Sequence, residues 1–425
     1  MIPQNQELIY DWNKGGIVDM KGVVHIEFDD ETLRDGLQSP SVTDPTIDQK
    51  IKILHLMEHL GIQSANIGLP GSGPRAYNDT LELAKEIASH KMKISPNCAA
   101  RTVIADIDPV IDISQKAGIP IEVATFVGSS PIRQYVEGWD VDHIVELTET
   151  AVTYVVEHGL PSMFVTEDTT RAHPDAIERI YTRAIECGAK RIVVADTVGH
   201  TTRTGATNIV RFVKDVVENT GEDVKIDWHG HNDRGFAVAS TIAAIRAGVD
   251  RVHGCALGIG ERCGNASMDL LLVNLKMWGI IDNDLCKLND YCRLVSEACH
   301  VPIPFNYPVI GPDAFRTATG VHAAAVIKAL KTGNEWLSDM VYSAVPAHMV
   351  GRKQKIEIGP LSGESNVVFW LRDRGYSMNG EMVKKIFDYA KHSNRLLTDD
   401  EIETLIETEF PESERKRDES RLATT

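Results

Sequence analysis

Short apolar and β-branched runs alternate with longer stretches of helical periodicity over the first two thirds of the chain. The short runs predict eight strands, over 23–28, 64–69, 92–95, 121–126, 162–166, 191–195, 224–228 and 250–254. The stretches between them repeat apolar residues three and four positions apart. Several stop at a glycine, as at Gly61, Gly188 and Gly248, where helices commonly end. The pattern therefore predicts a strand–helix unit repeated eight times.

Eight consecutive strand–helix units are typical of an α/β protein built as a (β/α)8 TIM barrel. A doubly wound open sheet is the alternative, and it requires a glycine-rich turn after the first strand. The chain instead carries the charged segment 29–34 at that place. The sequence therefore favours the barrel.

The alternation stops near residue 283, and the remainder has a mostly helical pattern. Helices are predicted over 284–300, 320–330, 382–392 and 399–407, the last with a capping box formed by Thr398 and Glu401. We expect residues 1–283 to form the catalytic barrel with an N-terminal arm. Residues 284–425 are then smaller helical C-terminal subdomains.

Charge and composition exclude several classes of function. The 425 residues carry 61 acidic and 44 basic side chains, a net charge of −17, which disfavours nucleic acid and anionic membranes as partners. No apolar run reaches the ~18 residues of a spanning helix, and the N-terminus lacks a signal-peptide pattern. Seven cysteines without CxxC pairs indicate reduced thiols, so we expect a cytoplasmic protein.

The predicted strand ends carry a candidate metal site. His229 and His231 are two residues apart, so both project from one face of an extended backbone. Such a pair on its own is more often structural. Closure of the barrel, however, makes strands 7, 8 and 1 neighbours, which lets Asp35 and Asn265 converge on the histidines. A carboxylate, two imidazoles and an amide oxygen suit Mn²⁺ or Zn²⁺, with room for a chelating 2-keto acid.

Arg34 and Glu167 are candidate catalytic residues at the same end of the barrel. Arg34 would stabilise negative charge on a polarised ketone; the alternative is a structural salt bridge with Glu167 or Asp30, and both can hold together. Glu167 ends strand 5 and could orient Arg34 or a water, or act as a base, or be purely structural.

Several motifs occur in the order found in one enzyme family. Residues 30–38, D-E-T-L-R-D-G-L-Q, are similar to D-T-T-L-R-D-G-E-Q, and residues 229–233 to H-x-H-N-D. Residues 258–266 resemble G-I-G-E-R-A-G-N-A, and residues 319–322 resemble S-G-I-H. From about residue 22 to about residue 367 the chain thus resembles the metal-dependent, Claisen-type TIM-barrel enzymes. These include 2-isopropylmalate, homocitrate and citramalate synthases and 3-hydroxy-3-methylglutaryl-CoA (HMG-CoA) lyase.

The resemblance implies roles for individual residues. The ligands of a divalent ion (Mn²⁺, Zn²⁺ or Mg²⁺) would be Asp35, His229, His231 and Asn265. The catalytic residues would be Arg34, Glu167 and His322, and the substrate-binding residues Arg34, Thr197, Gln38 and Tyr342. Acetyl-CoA and a 2-keto acid would be the substrates. The resemblance also implies a homodimer in which the C-terminal region reaches the partner's barrel.

Some positions depart from the family pattern and concern the substrate. Leu37 replaces a Glu of the first motif, Asn66 stands where most members carry Glu, Ala124 replaces a pocket histidine, and Leu257 replaces an Asn. The segment 254–258 lacks the G-G-C-P loop that the lyase needs, which favours a synthase. A leucine-sensing regulatory domain is not expected after residue 363.

The sequence therefore predicts an acyltransferase that condenses acetyl-CoA with a 2-keto acid and releases CoA. Apolar residues near the strand ends, Leu37, Leu69, Ala124 and Val165, favour 2-ketoisovalerate, which gives 2-isopropylmalate in leucine biosynthesis. Citramalate and homocitrate synthases are alternatives, followed by lyase-type cleavage. An inactive metal-binding scaffold is the non-enzymatic alternative, which the intact catalytic residues disfavour.

Overall fold

The predicted TIM barrel is confirmed by a computed structural model, which describes residues 8–10, 25–377 and 379–411. Eight parallel strands close in sequence order, and β1 pairs with β8. The strands are β1 (Glu27–Asp30), β2 (Ser64–Asn66), β3 (Ser95–Arg101), β4 (Glu122–Gly128), β5 (Ser162–Glu167), β6 (Arg191–Asp196), β7 (Lys225–Gly230) and β8 (Arg251–Gly254). The closed ring excludes the open doubly wound sheet.

Helices follow the strands and continue after the barrel. The barrel helices are α1 (Ile47–His59), α2 (Pro74–His90), α3 (Ile104–Ala117), α4 (Pro131–Glu137), α5 (Val141–Glu157), α6 (Pro174–Glu186), α7 (Arg203–Thr220), α8 (Ala237–Ala247) and α9 (Met268–Met277). The later ones are α10 (Leu288–Cys299), α11 (Gly320–Leu330), α12 (Glu335–Met340), α13 (Glu364–Asp373), α14 (Gly380–His392) and α15 (Asp399–Glu409). In the described part of the chain, none is long and apolar enough to cross a membrane.

The periodicity located most elements well, and β3 is the main error. The helical stretch predicted to stop at Gly248 is α8, the helix predicted over 320–330 matches α11, and the capping box of Thr398 and Glu401 is present. The strand predicted over 92–95 is wrong, because β3 begins at Ser95. Its sequence, S-P-N-C-A-A-R, consists mostly of small and polar residues with weak strand propensity. Val23 and Val24, predicted to start strand 1, lie outside the described residues.

A buried ion-pair network fills the barrel beneath the strand ends. Asp227 accepts hydrogen bonds from Arg251 at 2.7 Å and from Arg191 at 2.6 Å. Burial raises the pKa of Asp227, but Arg251, His253 and Arg191 outweigh it and hold the pKa well below its usual range. Asp227 also lies 2.9 Å from Nε2 of His253, which fixes this imidazole on β8. The network thereby supports the floor of the barrel mouth.

The chain divides into two compact units. The first contains the barrel through Asp284 together with 290–302, and the second contains 285–289 and the residues from 303 onward. Most of α10 thus belongs to the barrel unit, while the predicted boundary at 283 stays a prediction. The second unit has its own apolar core, around Trp370, Met382 and Ile402. It also holds a two-stranded parallel sheet of Arg316–Thr317 and Lys355–Ile356.

Candidate functional site

A cavity of about 430 Å³ opens at the carboxyl ends of the barrel strands. One side, here called the charged wall, comes from the segment after β1 and from β7 and β8. The charged wall is Glu31, Arg34, Asp35, His229, His231 and His253. The other side, here called the apolar wall, comes from β3 to β6. The apolar wall is Ala99, Ala124, Phe126, Met163, Val165 and Val193.

The predicted metal ligands meet in the charged wall. Asp35, His229 and His231 each offer a ligand atom, and these atoms lie within 4.8 Å of one another. Oδ2 of Asp35 is 3.6 Å from Nε2 of His231, and the two imidazole centroids are 5.0 Å apart. His231 follows β7 and pairs by a backbone bridge with Asn265, which brings the fourth residue to the same place.

The Asn265 amide shows how well these residues fit a cation. Its Nδ2 donates to Oδ2 of Asp35 at 2.6 Å and to the carbonyl of Ile259 at 3.1 Å. Its Oδ1, like Nδ1 of His231, is buried and meets no hydrogen-bond partner among the described residues. Buried polar atoms without partners are rare. A donor set of carboxylate, imidazole and amide oxygen therefore fits a divalent ion, although the amide nitrogen faces Asp35.

Glycines in the 258–264 loop allow Asn265 to reach Asp35. Gly264 has a φ of +82°, and a Cβ there would lie 1.9 Å from the carbonyl oxygen of Gly258. At Gly260, with a φ of +152°, a Cβ would lie 2.2 Å from Nδ2 of Asn265. Both positions accept only glycine without rearrangement. The motif's glycines thus have a direct role in shaping the site.

The protonation states in the charged wall suit metal binding. Burial raises the pKa of Asp35, but Arg34 and His229 outweigh it and the pKa is lowered. Burial, with help from His229, lowers the pKa of His231 to about 4. At neutral pH the pair is therefore a carboxylate and a neutral imidazole, which are the forms that coordinate metals.

The structural salt bridge with Glu167 or Asp30, which the sequence left open as the alternative role of Arg34, is not among its ion pairs in the described residues. Among the described residues its ion pairs run to Glu31 at 2.5 Å and Asp35 at 2.8 Å, not to Glu167 or Asp30. Glu31 is three residues before Arg34 in the turn after β1, so the two side chains meet locally. Asp30 points to the other side and bonds to Tyr291 of α10.

Glu31 and His253 are site residues to which sequence reasoning gave no role. Oε2 of Glu31 lies 2.6 Å from Nδ1 of His229. Burial raises the pKa of Glu31, but His229, Arg34 and His253 hold it well below its usual range. Burial lowers the pKa of His253, but Glu31 and Asp227 outweigh this and raise it to about 10. The sequence did carry a signal for Glu31, because the motif that residues 30–38 resemble has Thr at this position.

Three more predicted residues line the same cavity. Oγ1 of Thr197 accepts the backbone N–H of Asp168 at 2.8 Å, which leaves its own O–H to donate elsewhere. Burial raises the pKa of Glu167, against Arg133 and Arg34, which lower it. Gln38 ends a short 3₁₀ turn at the exposed rim. Arg34, Gln38, Glu167 and Thr197 therefore share one cavity with three of the predicted metal ligands, Asp35, His229 and His231.

Asn66 reaches Arg34 from β2. In the amide orientation that satisfies both of its ends, Asn66 accepts from Nε of Arg34 at 3.2 Å and donates to the carbonyl of Gly68 at 3.3 Å. Of the predicted apolar residues, Leu69, Ala124 and Val165 line the cavity. Leu37 lines a neighbouring groove instead.

His322 and Tyr342 belong to the second compact unit. His322 lies in the first turn of α11, after Thr319 and Gly320. Its ring centroid is 4.2 Å from that of Tyr342, and both side chains are exposed. The second unit thus brings together the two residues that the sequence assigned to it.

Curated relatives match most of this chain. A homocitrate synthase, AksA of Methanopyrus kandleri, is 32% identical over 367 residues, 85% of this chain and 86% of that protein. A 2-isopropylmalate synthase of Methanocaldococcus jannaschii is 31% identical over 390 residues, 89% of this chain and 70% of that protein. A putative (R)-citramalate synthase, CimA of Archaeoglobus fulgidus, is 30% identical over 384 residues, covering 89% and 74%.

Solved structures share the fold at lower identity. The HMG-CoA lyase of Bacillus subtilis has a TM-score of 0.55 at 18% identity, over 66% of this chain and 96% of that one. The lyase of Brucella melitensis has a TM-score of 0.52 at 15% identity, over 64% and 98%. The HMGL-like family matches residues 25–295. The chain belongs to this family of TIM-barrel acyltransferases, whose chemistry is Claisen-type condensation.

Proposed function

We propose that this protein condenses acetyl-CoA with 2-ketoisovalerate, giving 2-isopropylmalate for leucine biosynthesis. The observation that carries the proposal is one cavity in which Arg34 and a cluster of aspartate and histidine side chains that could hold a metal ion face an apolar wall. The cluster and Arg34 suit the keto-acid head of the substrate, and the apolar wall suits a branched hydrocarbon tail.

The proposed ligands of a divalent ion are Asp35, His229, His231 and Asn265. When bound, Mn²⁺, Zn²⁺ or Mg²⁺ supplies Lewis acidity that polarises the substrate ketone. Arg34 is held by Glu31 and Asp35, so its guanidinium is fixed before substrate arrives. Fixed charge beside an oxygen that becomes negative is the arrangement that lowers such barriers.

Other residues bind the substrate or move protons. Thr197 has a hydroxyl hydrogen to donate to the keto-acid carboxylate, and Gln38 and Tyr342 are further proposed contacts. His322 is the proposed base for the methyl proton of acetyl-CoA. Glu167 has a raised pKa because of its burial, which suits a group that holds a proton or orients a water. Hydrolysis of the thioester then releases CoA, and we expect the protein to act as a homodimer.

The cavity lining favours 2-ketoisovalerate over 2-oxoglutarate. Among the described residues that line it, Arg34 is the only lysine or arginine, and it already pairs with Glu31 and Asp35. The second carboxylate of 2-oxoglutarate would therefore lie unpaired against the apolar wall, which is costly. Pyruvate lacks that carboxylate but would leave much of the apolar wall uncovered.

Consumption of acetyl-CoA with a panel of 2-keto acids and Mn²⁺ tests the proposal. Loss of thioester absorbance is followed directly, because Cys263 and Cys286 are exposed and would react with a thiol reagent. The highest kcat/KM with 2-ketoisovalerate supports the proposal, and a preference for pyruvate or 2-oxoglutarate would indicate citramalate or homocitrate synthase instead. Formation of acetyl-CoA and acetoacetate from HMG-CoA, a carbon–carbon cleavage that keeps the thioester, would indicate a lyase. Absence of turnover with every substrate and metal would indicate an inactive scaffold.

A further inference from the structure

The two carboxylate oxygens of Glu31 contact two different parts of the charged wall. Oε1 accepts a hydrogen bond from Nη2 of Arg34 at 2.5 Å, and Oε2 lies 2.6 Å from Nδ1 of His229. The side chain is only 4% exposed. Glu31 therefore joins the proposed substrate-binding cation directly to a proposed metal ligand.

We propose that Glu31 is a positioning residue that fixes Arg34 and His229 relative to each other. This inference rests on the proposed function and deepens it. One rigid carboxylate sets both the imidazole that would hold the metal and the guanidinium that would face the substrate ketone. A small shift of Glu31 would then displace both groups together.

The contact with His229 also selects the tautomer of this imidazole. A ring nitrogen beside a buried carboxylate carries the hydrogen and donates it, so Nδ1 of His229 is protonated. The lone pair is then on Nε2, which is free to coordinate a metal. Carboxylate partners of this kind orient metal-binding histidines and increase their basicity.

Glu31 is itself held by contacts with β8. Nδ1 of His253 lies 3.4 Å from Oε1 of Glu31, and Nε2 of His253 lies 2.9 Å from Asp227. The backbone N–H of Glu31 donates to the carbonyl of Gly254 on β8 at 2.9 Å. These contacts fix both the main chain and the side chain, as a positioning role requires.

Asn66 allows the two contacts of Glu31 to be tested separately. Its amide oxygen lies 3.2 Å from Nε of Arg34, in the orientation described above. A glutamate at this position is longer by one methylene and would place an anion beside Arg34 again. It would restore a charge partner for Arg34 without restoring the hydrogen bond to His229.

The test compares Glu31→Gln with the double variant Glu31→Gln/Asn66→Glu. Mn²⁺ affinity is measured by the electron paramagnetic resonance signal of free Mn²⁺, and kcat and KM for the keto acid are measured at saturating metal. We expect Glu31→Gln to weaken Mn²⁺ binding about 10- to 100-fold, as loss of such partners does, and to raise KM. The double variant should recover KM while Mn²⁺ binding stays weak.

Two further variants control for folding. Asp29→Asn changes a buried carboxylate of β1, two residues before Glu31, that bonds to Ser64 and Asn97, and should bind Mn²⁺ like the parent. Glu31→Asp keeps the charge but is too short to span both partners, so it should also weaken Mn²⁺ binding.

Three results would overturn the positioning role. The positioning role is wrong if Glu31→Gln or Glu31→Asp binds Mn²⁺ within threefold of the parent's affinity. The proposed function would then still stand. The positioning role is also wrong if the double variant recovers the parent's Mn²⁺ affinity as well as its KM. A parent protein that binds no divalent ion would remove the proposed function as well.

Discussion

The charged wall and the apolar wall of the cavity are built in different ways. In the charged wall, each group contacts several others. The single side chain of Glu31, for example, bonds to both Arg34 and His229. In the apolar wall, Ala124, Met163 and Val193 pack side by side in one apolar cluster. A change in the first wall should therefore affect several groups at once, and a change in the second should affect only the space it fills.

The largest expected effect is loss of the shared carboxylate of the charged wall. Asp35→Ala leaves Arg34, His231 and Asn265 without their common anion, so we expect loss of metal-dependent turnover and at least about 100-fold weaker Mn²⁺ binding. Calorimetric titration and initial rates measure both. Glu82→Gln, at an ion pair with Lys85 in which both side chains are exposed, serves as the control. Full activity of Asp35→Ala would refute the ligand assignment.

Burial of Asp30, at the end of β1, should lower the free energy of unfolding by an amount that depends on pH. Burial raises the pKa of Asp30 to about 7, against hydrogen bonds from Thr32 and Tyr291, which lower it. The folded state then holds a proton that the unfolded state releases near pH 4, so stability falls as pH rises from about 4 to about 7. Asp30→Asn should remove about 2 to 4 kcal/mol of this decline.

Urea unfolding of metal-free parent and Asp30→Asn at pH 5 and pH 8 measures the difference. Other titrating groups cancel because they are common to both proteins. Parallel pH profiles for the two proteins would show that Asp30 titrates normally.

A change in the apolar wall should alter substrate preference while metal binding is preserved. Ala124→Val adds two methyl groups beside Met163 and Val193, which reduces the space for a branched tail. The ratio of kcat/KM for pyruvate to that for 2-ketoisovalerate should rise about tenfold, the usual effect of one or two methyl groups in a pocket. Mn²⁺ affinity should equal that of the parent. A loss of metal binding in this variant would mean that the two walls are coupled.

The smallest expected effect concerns backbone strain beside β8. Leu257 has a φ of +56°, a left-handed conformation that an asparagine adopts more easily than a branched side chain. Leu257→Asn should stabilise the protein by about 1 kcal/mol, measured as a higher urea midpoint, while Leu257→Val should lower it. Equal midpoints for the three proteins would show that this strain is not released by substitution.

The fold was predictable because it repeats. Each strand–helix unit carries the same pattern, so an error in one unit, as at β3, does not change the number of strands. The convergence of the proposed metal ligands was predictable for a related reason, because the ends of β7, β8 and β1 must be neighbours in a closed barrel. That Asp35, His229, His231 and Asn265 meet follows from topology, whereas their assignment as ligands is what the family resemblance implies.

The contacts within the charged wall were not predictable in the same way. Glu31 and His229 are separated by 198 residues, and their contact depends on which side each chain turns after its strand. The sequence also gave no indication that Arg34 would pair with Glu31 rather than with Glu167. The orientation of the Asn265 amide depends on neighbouring carbonyls, such as that of Ile259. These contacts can be read only from coordinates, because a residue pattern predicts which face of an element a side chain lies on and not which side chain it contacts.

Closure of the ring between β1 and β8 has a consequence for biosynthesis. Asp35 and Asn265 lie 230 residues apart along the chain. While the protein is being translated, the early part of the barrel therefore emerges from the ribosome long before its ligand partners exist. Metal capture at the proposed centre would follow synthesis of nearly the whole barrel, so a prematurely terminated product would lack the proposed ligand set even if its first strands had folded.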